Sequence, residues 1–367
     1  MKTDLQKVKN LNNNFKFLEN NKIFLTGHTG FKGSWLSIML YMFGAKIYGY
    51  ALPPKKKSLF NDCNLKKIFT KSVYKDIRDF RSLSSSILSF KPKILIHMAA
   101  QPLVRLSYQN PRETFEVNSV GTLNILEIVK QLGFIKTVLI ITSDKVYKNI
   151  NKAVEYKEED KLGSYDPYSN SKACAELITS AYRVSFLDKK KISIATARAG
   201  NVIGGGDYAI DRIIPDFFKA LESKKKILIR QPNSIRPWQH VFDPLYGYIV
   251  LIKKMYNKEK IYFNEFNFGP NKKNFIRVIS LVSKINQRLK NKVKVVIKKK
   301  KNEYKKENTV LMLDSKRSKK ILKWKAICSI EKTLDLITEW YENKRNYGDV
   351  FEYSKKQIFN YLSLIRN

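Results

Sequence analysis

"KIFLTGHTGFKGSWL", residues 22–36, decides the fold. An apolar run of strand length, 22–26, leads into a loop with Gly27, Gly30 and Gly33 three apart, and a helix-like segment follows over 34–43. Glycine at such positions permits a tight turn, lets backbone N–H groups approach a pyrophosphate, and lets the helix pack on the strand. The N-terminus of that helix then faces the phosphate charge. Strand before, helix after and glycines between them lead us to expect a dinucleotide-binding unit.

The same alternation continues outward. Strand-length apolar runs at 46–50 ("KIYGY"), 93–100 ("KILIHMAA"), 137–142 ("TVLIIT") and 192–198 ("ISIATAR") are separated by helix-like segments at 112–131 and 168–186. Near-continuous apolar strands joined by helices imply a parallel sheet covered on both faces. The expected fold is therefore α/β, a Rossmann-type doubly wound parallel sheet with a smaller C-terminal α/β substrate-binding lobe. Its parts are placed at 20–198 for the nucleotide-binding domain, with a return segment near 236–260, then 199–345 for the second lobe and 346–367 for a helical tail. No repeat and no low-complexity linker separates the lobes.

The second strand ends in "GYALPPKKK" (49–57), without the carboxylate that usually holds an adenosine ribose, so this test leaves NAD and NADP both open. Lys55–Lys57 either meets a 2′-phosphate or is solvated surface, and Asp76 of "DIRD" either contacts adenine or is an acid in a polar loop. His28, inside the glycine loop, reads equally as a contact near the phosphates and as a polar turn residue.

Composition narrows the classes. A formal charge of +38 raises nucleic-acid binding, but the lysine excess is spread along the chain, and its densest run, Lys298–Lys301 with Lys305 and Lys306, reads as a solvated edge. Cys63, Cys174 and Cys328 are scattered without metal-ligand spacing, which argues for a reduced compartment and no metal site. No apolar signal segment and no stretch of about 20 apolar residues is present, so we expect a cytoplasmic protein with neither nucleic-acid nor membrane partner.

Two short stretches carry the chemistry. In "YSNSK", Tyr168 and Lys172 lie four apart on a helix and share a face, where an ammonium stabilises phenolate. Behind a glycine-loop domain, that pair is a base for removing an alcohol proton while hydride leaves for the cofactor. In "TSDKVYKN" (142–149), Asp144 and Lys145 set an acid beside a base at the end of an apolar strand.

With these residues in hand, the chain over roughly 20–345 resembles the extended short-chain dehydrogenase/reductase family, through "HMAAQ" (97–101), "VNSVGTLNILE" (117–127), "YSNSK" and "ARAGNVIGGGD" (197–207). Simple epimerases of that family have small residues where Asp144 stands, whereas its nucleotide-sugar 4,6-dehydratases have an Asp, commonly followed by Glu. Asp144 followed by Lys145, "TGHTGFKGSWL" (26–36) and "SIRPWQHVFDPLYGY" (234–248) are similar to the dehydratase branch that acts on CDP-glucose.

The resemblance implies tightly held NAD, with Gly27, His28, Gly30, Phe31, Gly33, Asp76, Ile77, Ala99, Ala100, Tyr168 and Lys172 around it. It implies Thr142, Ser143, Asp144, Lys145, Tyr168 and Lys172 as the catalytic set, and Gln101, Asn201, Arg236 and His240 as contacts to a nucleotide sugar. Tyr168 would deprotonate O4, Thr142 or Ser143 orient the sugar, and Asp144 protonate the leaving O6. Lys145 is either the C5 base or a cation for the enolate; an ordinary lysine pKa of about 10.4 requires burial or a neighbouring Lys172 to free the amine. Trp238 and His240 either shape the nucleotide pocket or pack. A homodimer, or a dimer of dimers, through 112–131 and 168–186 is a further family expectation. The rivals are a dehydratase or epimerase of a dTDP-, UDP- or GDP-sugar, and a non-catalytic nucleotide-binding scaffold that retains the fold.

Overall fold

The computed structural model describes residues 13–150, 154–200, 202–259, 264–297, 311–346 and 348–365. At its centre lie seven parallel strands: β1 (Lys22–Thr26), β2 (Lys46–Ala51), β3 (Lys71–Tyr74), β4 (Ile94–His97), β5 (Thr137–Ile141), β6 (Ser193–Ala199) and β7 (Glu265–Phe268). Their order is β3-β2-β1-β4-β5-β6-β7. The direction of winding reverses between β1 and β4, and in such sheets the ligand crevice opens at that reversal, beyond the carboxyl ends of the strands.

Side chains alternate between the two faces. Ile23 and Leu25 of β1 join Ile94, Ile96, Leu139 and Ile141 in one core, while Phe24 joins Leu95, Val138 and Ile140 in the other. Helices α1 (Phe31–Met42), α2 (Phe80–Phe90), α3 (Gly121–Gln131) and α4 (Pro167–Tyr182) contribute to these two layers. Each fully buried aliphatic side chain contributes about 1.5–3 kcal/mol to holding these layers together. The expected helix at 112–131 starts at Pro111 and continues into α3 through one wider turn, Glu116–Val120.

The second lobe contains α5 (Ile213–Glu222), a parallel pair formed by Ile227–Ile229 and Val295–Ile297, an antiparallel pair formed by Ile235–Pro237 and Phe275–Arg277, α7 (Val278–Arg288) and α8 (Ile330–Asn346). Between the two strands of the antiparallel pair the chain returns to the first lobe. Helix α6 (Phe242–Tyr256) packs on the sheet, and β7 then adds the last strand beside β6 in the register Glu265↔Thr196. The return segment therefore runs to Phe268, beyond the expected 260, because β6 would otherwise leave an unpaired edge.

The C-terminal segment, expected as a helical tail over 346–367, is helical. Helix α9 (Val350–Ser363) buries Ile358 and Tyr361, and Tyr361 donates a hydrogen bond to Asp243 at 3.0 Å. No helix among the described residues is long and apolar enough to cross a membrane. The lysine run at 298–301 and Lys305, Lys306 lie outside the described residues.

Candidate active site

A cavity of about 860 Å³ opens where the winding reverses, lined by the glycine loop, the ends of β4 and β5, the start of α4 and the second lobe. Its floor is set by glycine. Gly27 has φ +74°, and a Cβ there would lie 2.7 Å from the Ala99 nitrogen. At Gly33 a Cβ would lie 2.1 Å from the Gly27 oxygen, so only glycine brings α1 this close to the loop. Helix α1 starts at Gly30 without a side-chain cap, leaving N–H groups at its first turn for an anion. Thr26 ties loop to sheet: its hydroxyl oxygen accepts from the backbone of Met98 and Ala99 at 3.0 and 3.1 Å.

Asp144, Lys145, Tyr168 and Lys172 all line this cavity, as do Thr142 and Ser143. Asp144 is buried and accepts from the Ser143 hydroxyl at 3.0 Å. Burial raises its pKa, against the opposing charges of Lys145 and Lys32 and the Ser143 hydrogen bond, so the carboxyl is biased toward its protonated form. Gly200 makes room for it, since a Cβ there would lie 2.9 Å from Oδ2.

The Tyr168 phenol is pushed up to about 12 by burial, with Asp144 adding and a Ser143 hydrogen bond subtracting. Its ionisation therefore depends on positive charge nearby. Lys172 donates to the Ile141 carbonyl at 3.0 Å, and burial first, then Lys32, lowers its pKa to about 8. The Thr142 hydroxyl donates to Glu176, whose two oxygens hold Arg198 in a buried fork at 2.9 Å each. With Thr142 turned to that ion pair, Ser143 is the hydroxyl that faces Asp144 and Tyr168.

Of the expected cofactor contacts, Gly27, Gly30, Phe31, Gly33, Asp76, Ile77, Ala99 and Ala100 line the cavity. Arg78 holds Asp76 from its own side chain and backbone, lowering the Asp76 pKa. His28 departs from expectation. Its ring is buried among Phe60, Phe69 and Tyr74 with Nε2 2.8 Å from Ser72, away from the cavity, and burial lowers it to about 4. The loop turns it inward because Gly49 leaves space for the ring.

Arg236 lines the cavity from the second lobe, and Asn201 lies outside the described residues. Gln101 and His240 do not line it. The Gln101 amide accepts from Leu103 and donates to Thr114, bracing its own turn, and His240 is buried with Nδ1 accepting from the Phe242 backbone. Trp238 lines the cavity while its indole N–H donates to the Ile276 carbonyl.

Sequence reasoning missed a ring of cations: Lys32, Arg105, Arg212 and Arg230 also face the cavity. Lys32 lies 3.5 Å from the Tyr248 hydroxyl and is lowered to about 8 by burial and by Arg212. It was visible inside the opening motif, but nothing in its spacing distinguishes it from the many other lysines.

Comparison with known proteins accords with this architecture. The family model described as GDP-mannose 4,6 dehydratase matches residues 24–337. A CDP-glucose 4,6-dehydratase from Salmonella typhimurium is 43% identical over 353 residues, covering 95% of this chain and 98% of its own. A dTDP-D-glucose 4,6-dehydratase from Dictyostelium discoideum is 29% identical over 247 residues, 64% of this chain and 56% of its own. Among solved structures, a Thermotoga maritima UDP-glucose 4-epimerase with UDP-glucose superposes with a TM-score of 0.75 at 20% identity, covering 89% of this chain and 100% of its own. A Bacillus anthracis dTDP-glucose 4,6-dehydratase in complex with NAD gives 0.71 at 21%, covering 91% and 99%. On the family match and the 43% relative, the chain belongs to the GDP-mannose 4,6 dehydratase family.

Proposed function

We propose that the protein converts CDP-D-glucose to CDP-4-dehydro-6-deoxy-D-glucose, an NAD-dependent loss of water with no net oxidation. One observation carries the reading: Asp144, with Lys145 beside it, shares a cavity with Tyr168 and Lys172. Likeness to a CDP-glucose 4,6-dehydratase over 95% of the chain supports the choice of base and sugar.

The residues present fit NAD. Gly27 and Gly33 let the loop and α1 pack closely on each other and on the end of β4, the uncapped start of α1 offers N–H groups to a pyrophosphate, and Lys172 reaches the end of β5. When bound there, NAD supplies a hydride acceptor for C4 of the hexose and a donor to C6. Tyr168 takes the O4 proton as hydride leaves, with the Lys172 cation favouring phenolate. The resulting ketone acidifies C5. Lys145 removes the C5 proton or stabilises the enolate, while Asp144, whose pKa burial raises, gives a proton to the C6 hydroxyl so that it leaves as water. Ser143 aligns the sugar between Tyr168 and Asp144. Arg236 and Asn201 serve the nucleotide diphosphate.

Exposed Phe115, Val120, Leu177, Val184 and Phe186, on the helical stretches over 111–131 and 167–187, support a homodimer. The reading also places the protein in the cytoplasm, making a precursor for deoxy sugars of surface polysaccharide. Mass spectrometry of products from CDP-, dTDP-, UDP- and GDP-glucose with added NAD tests it. Loss of one water from CDP-glucose alone, with no accumulated reduced cofactor, is expected; loss from another sugar would overturn the substrate, and loss from none would overturn the reaction.

A further inference from the structure

We propose that Asp211 is a built-in anion that holds two cavity arginines together until a diphosphate takes its place. Arg105 comes from the first lobe, on the short helix Val104–Gln109 beyond β4, and Arg230 comes from the second, one residue after the strand Ile227–Ile229. Both converge on a single oxygen, Asp211 Oδ1, at 3.2 and 2.7 Å. All three residues line the cavity.

The arrangement is suited to exchange. A guanidinium makes its best contact through two parallel bonds to two acceptor oxygens, whereas here two guanidiniums meet at one. A diphosphate offers more oxygens and more charge to the same two groups. The carboxylate stays ionised, its pKa lowered by the Arg230 hydrogen bond and by the charges of Arg105 and Arg230. The ion pairs are about one-third exposed, at 34–42%, so solvent screens them and a ligand can displace them.

Asp211 also sits at the tip of a tethered segment. At the base, Asp207 accepts from the Ala209 backbone and from Arg212, and its carbonyl accepts from Tyr341 at 2.8 Å. The tip itself has φ +60°, a left-handed conformation that Asp and Asn tolerate better than most residues. A tip held mainly by its two arginines can leave without disturbing the base.

This inference rests on the reading that the ligand is a nucleoside diphosphate. Its test is calorimetric titration of CDP, UDP and cytidine into the wild type, Asp211→Asn and Arg230→Met, with thermal melting to confirm that each variant is folded. Asparagine keeps the left-handed backbone and removes the charge. Asp211→Asn is expected to bind CDP about tenfold tighter with cytidine unchanged, and Arg230→Met about tenfold weaker. CDP affinity that is unchanged or reduced in Asp211→Asn would overturn the proposal, since Asp211 would then only position the arginines. The same gain seen for UDP and not CDP would leave Asp211 in its role while removing CDP-glucose as substrate. Binding of neither nucleotide to any of the three proteins would overturn both.

Discussion

In the proposed reaction, Asp144 is the residue assigned to protonate the leaving hydroxyl. Burial raises the Asp144 pKa, which favours proton donation, and Asn cannot replace it in that role. Asp144→Asn is expected to spare C4 oxidation and slow water loss by about 10²–10⁴-fold, visible as accumulated reduced nicotinamide absorbance in single turnover. Unchanged dehydration would remove Asp144 as the acid. Lys145→Ala separates the two roles left open for its neighbour. If the amine is the C5 base, solvent deuterium no longer washes into C5; undiminished incorporation assigns the proton transfer elsewhere. That Asp144, Lys145, Tyr168 and Lys172 share a cavity was legible because their spacing maps onto one helix face and one strand end. The orientation of His28 was not, because it depends on space left by Gly49, which lies on another strand.

Among the elements, the glycine loop with α1 has the least tolerance. A methyl group at Gly33 would meet the Gly27 carbonyl, and the helix would have to move off the loop that we assign to the cofactor. Gly33→Ala is expected to lower stability by about 1–3 kcal/mol and to abolish NAD binding, read by thermal melting and by fluorescence titration. NAD affinity equal to wild type would show that α1 can shift. The alternating strands β1, β2, β4, β5 and β6 could be read directly, since buried parallel strands are near-continuous apolar runs. Strand β3, "KSVY", escaped notice because it is partly exposed and its residues carry no apolar pattern. Strand β7 escaped because "EFNF" is short and lies in sequence among residues of the other lobe.

The whole molecule stores an unusual proton balance. Asp243, buried where α6 meets α9, accepts from Tyr361 and from the Ile327 backbone, and burial pushes its pKa up to about 7. An acid whose folded pKa exceeds its unfolded value stabilises the fold while protonated, and that stability is lost as pH rises through 7. His28, His97 and His240 oppose it: their folded pKa values lie at about 4, 3 and 3, so in acid they favour the unfolded chain. Replacing Asp243 by Asn isolates one contribution. The stability of Asp243→Asn relative to wild type is expected to increase by about 1.4 kcal/mol per pH unit between pH 4.5 and 6.5, then level off above pH 7, measured by urea unfolding. A difference independent of pH would place the Asp243 carboxyl in its ordinary range.

The return of β7 from the second lobe has a consequence for how the chain acquires its structure. The strand that closes the sheet is separated from its partner β6 by more than sixty residues, about half of them in the other lobe, so the nucleotide-binding half cannot finish before residue 268 has been synthesised. Until then β6 presents an open edge able to pair with another chain. Such late, long-range pairing slows folding. A fragment ending at 200 is expected to aggregate, whereas one carried through α9 folds, a difference that sedimentation after release from the ribosome would read.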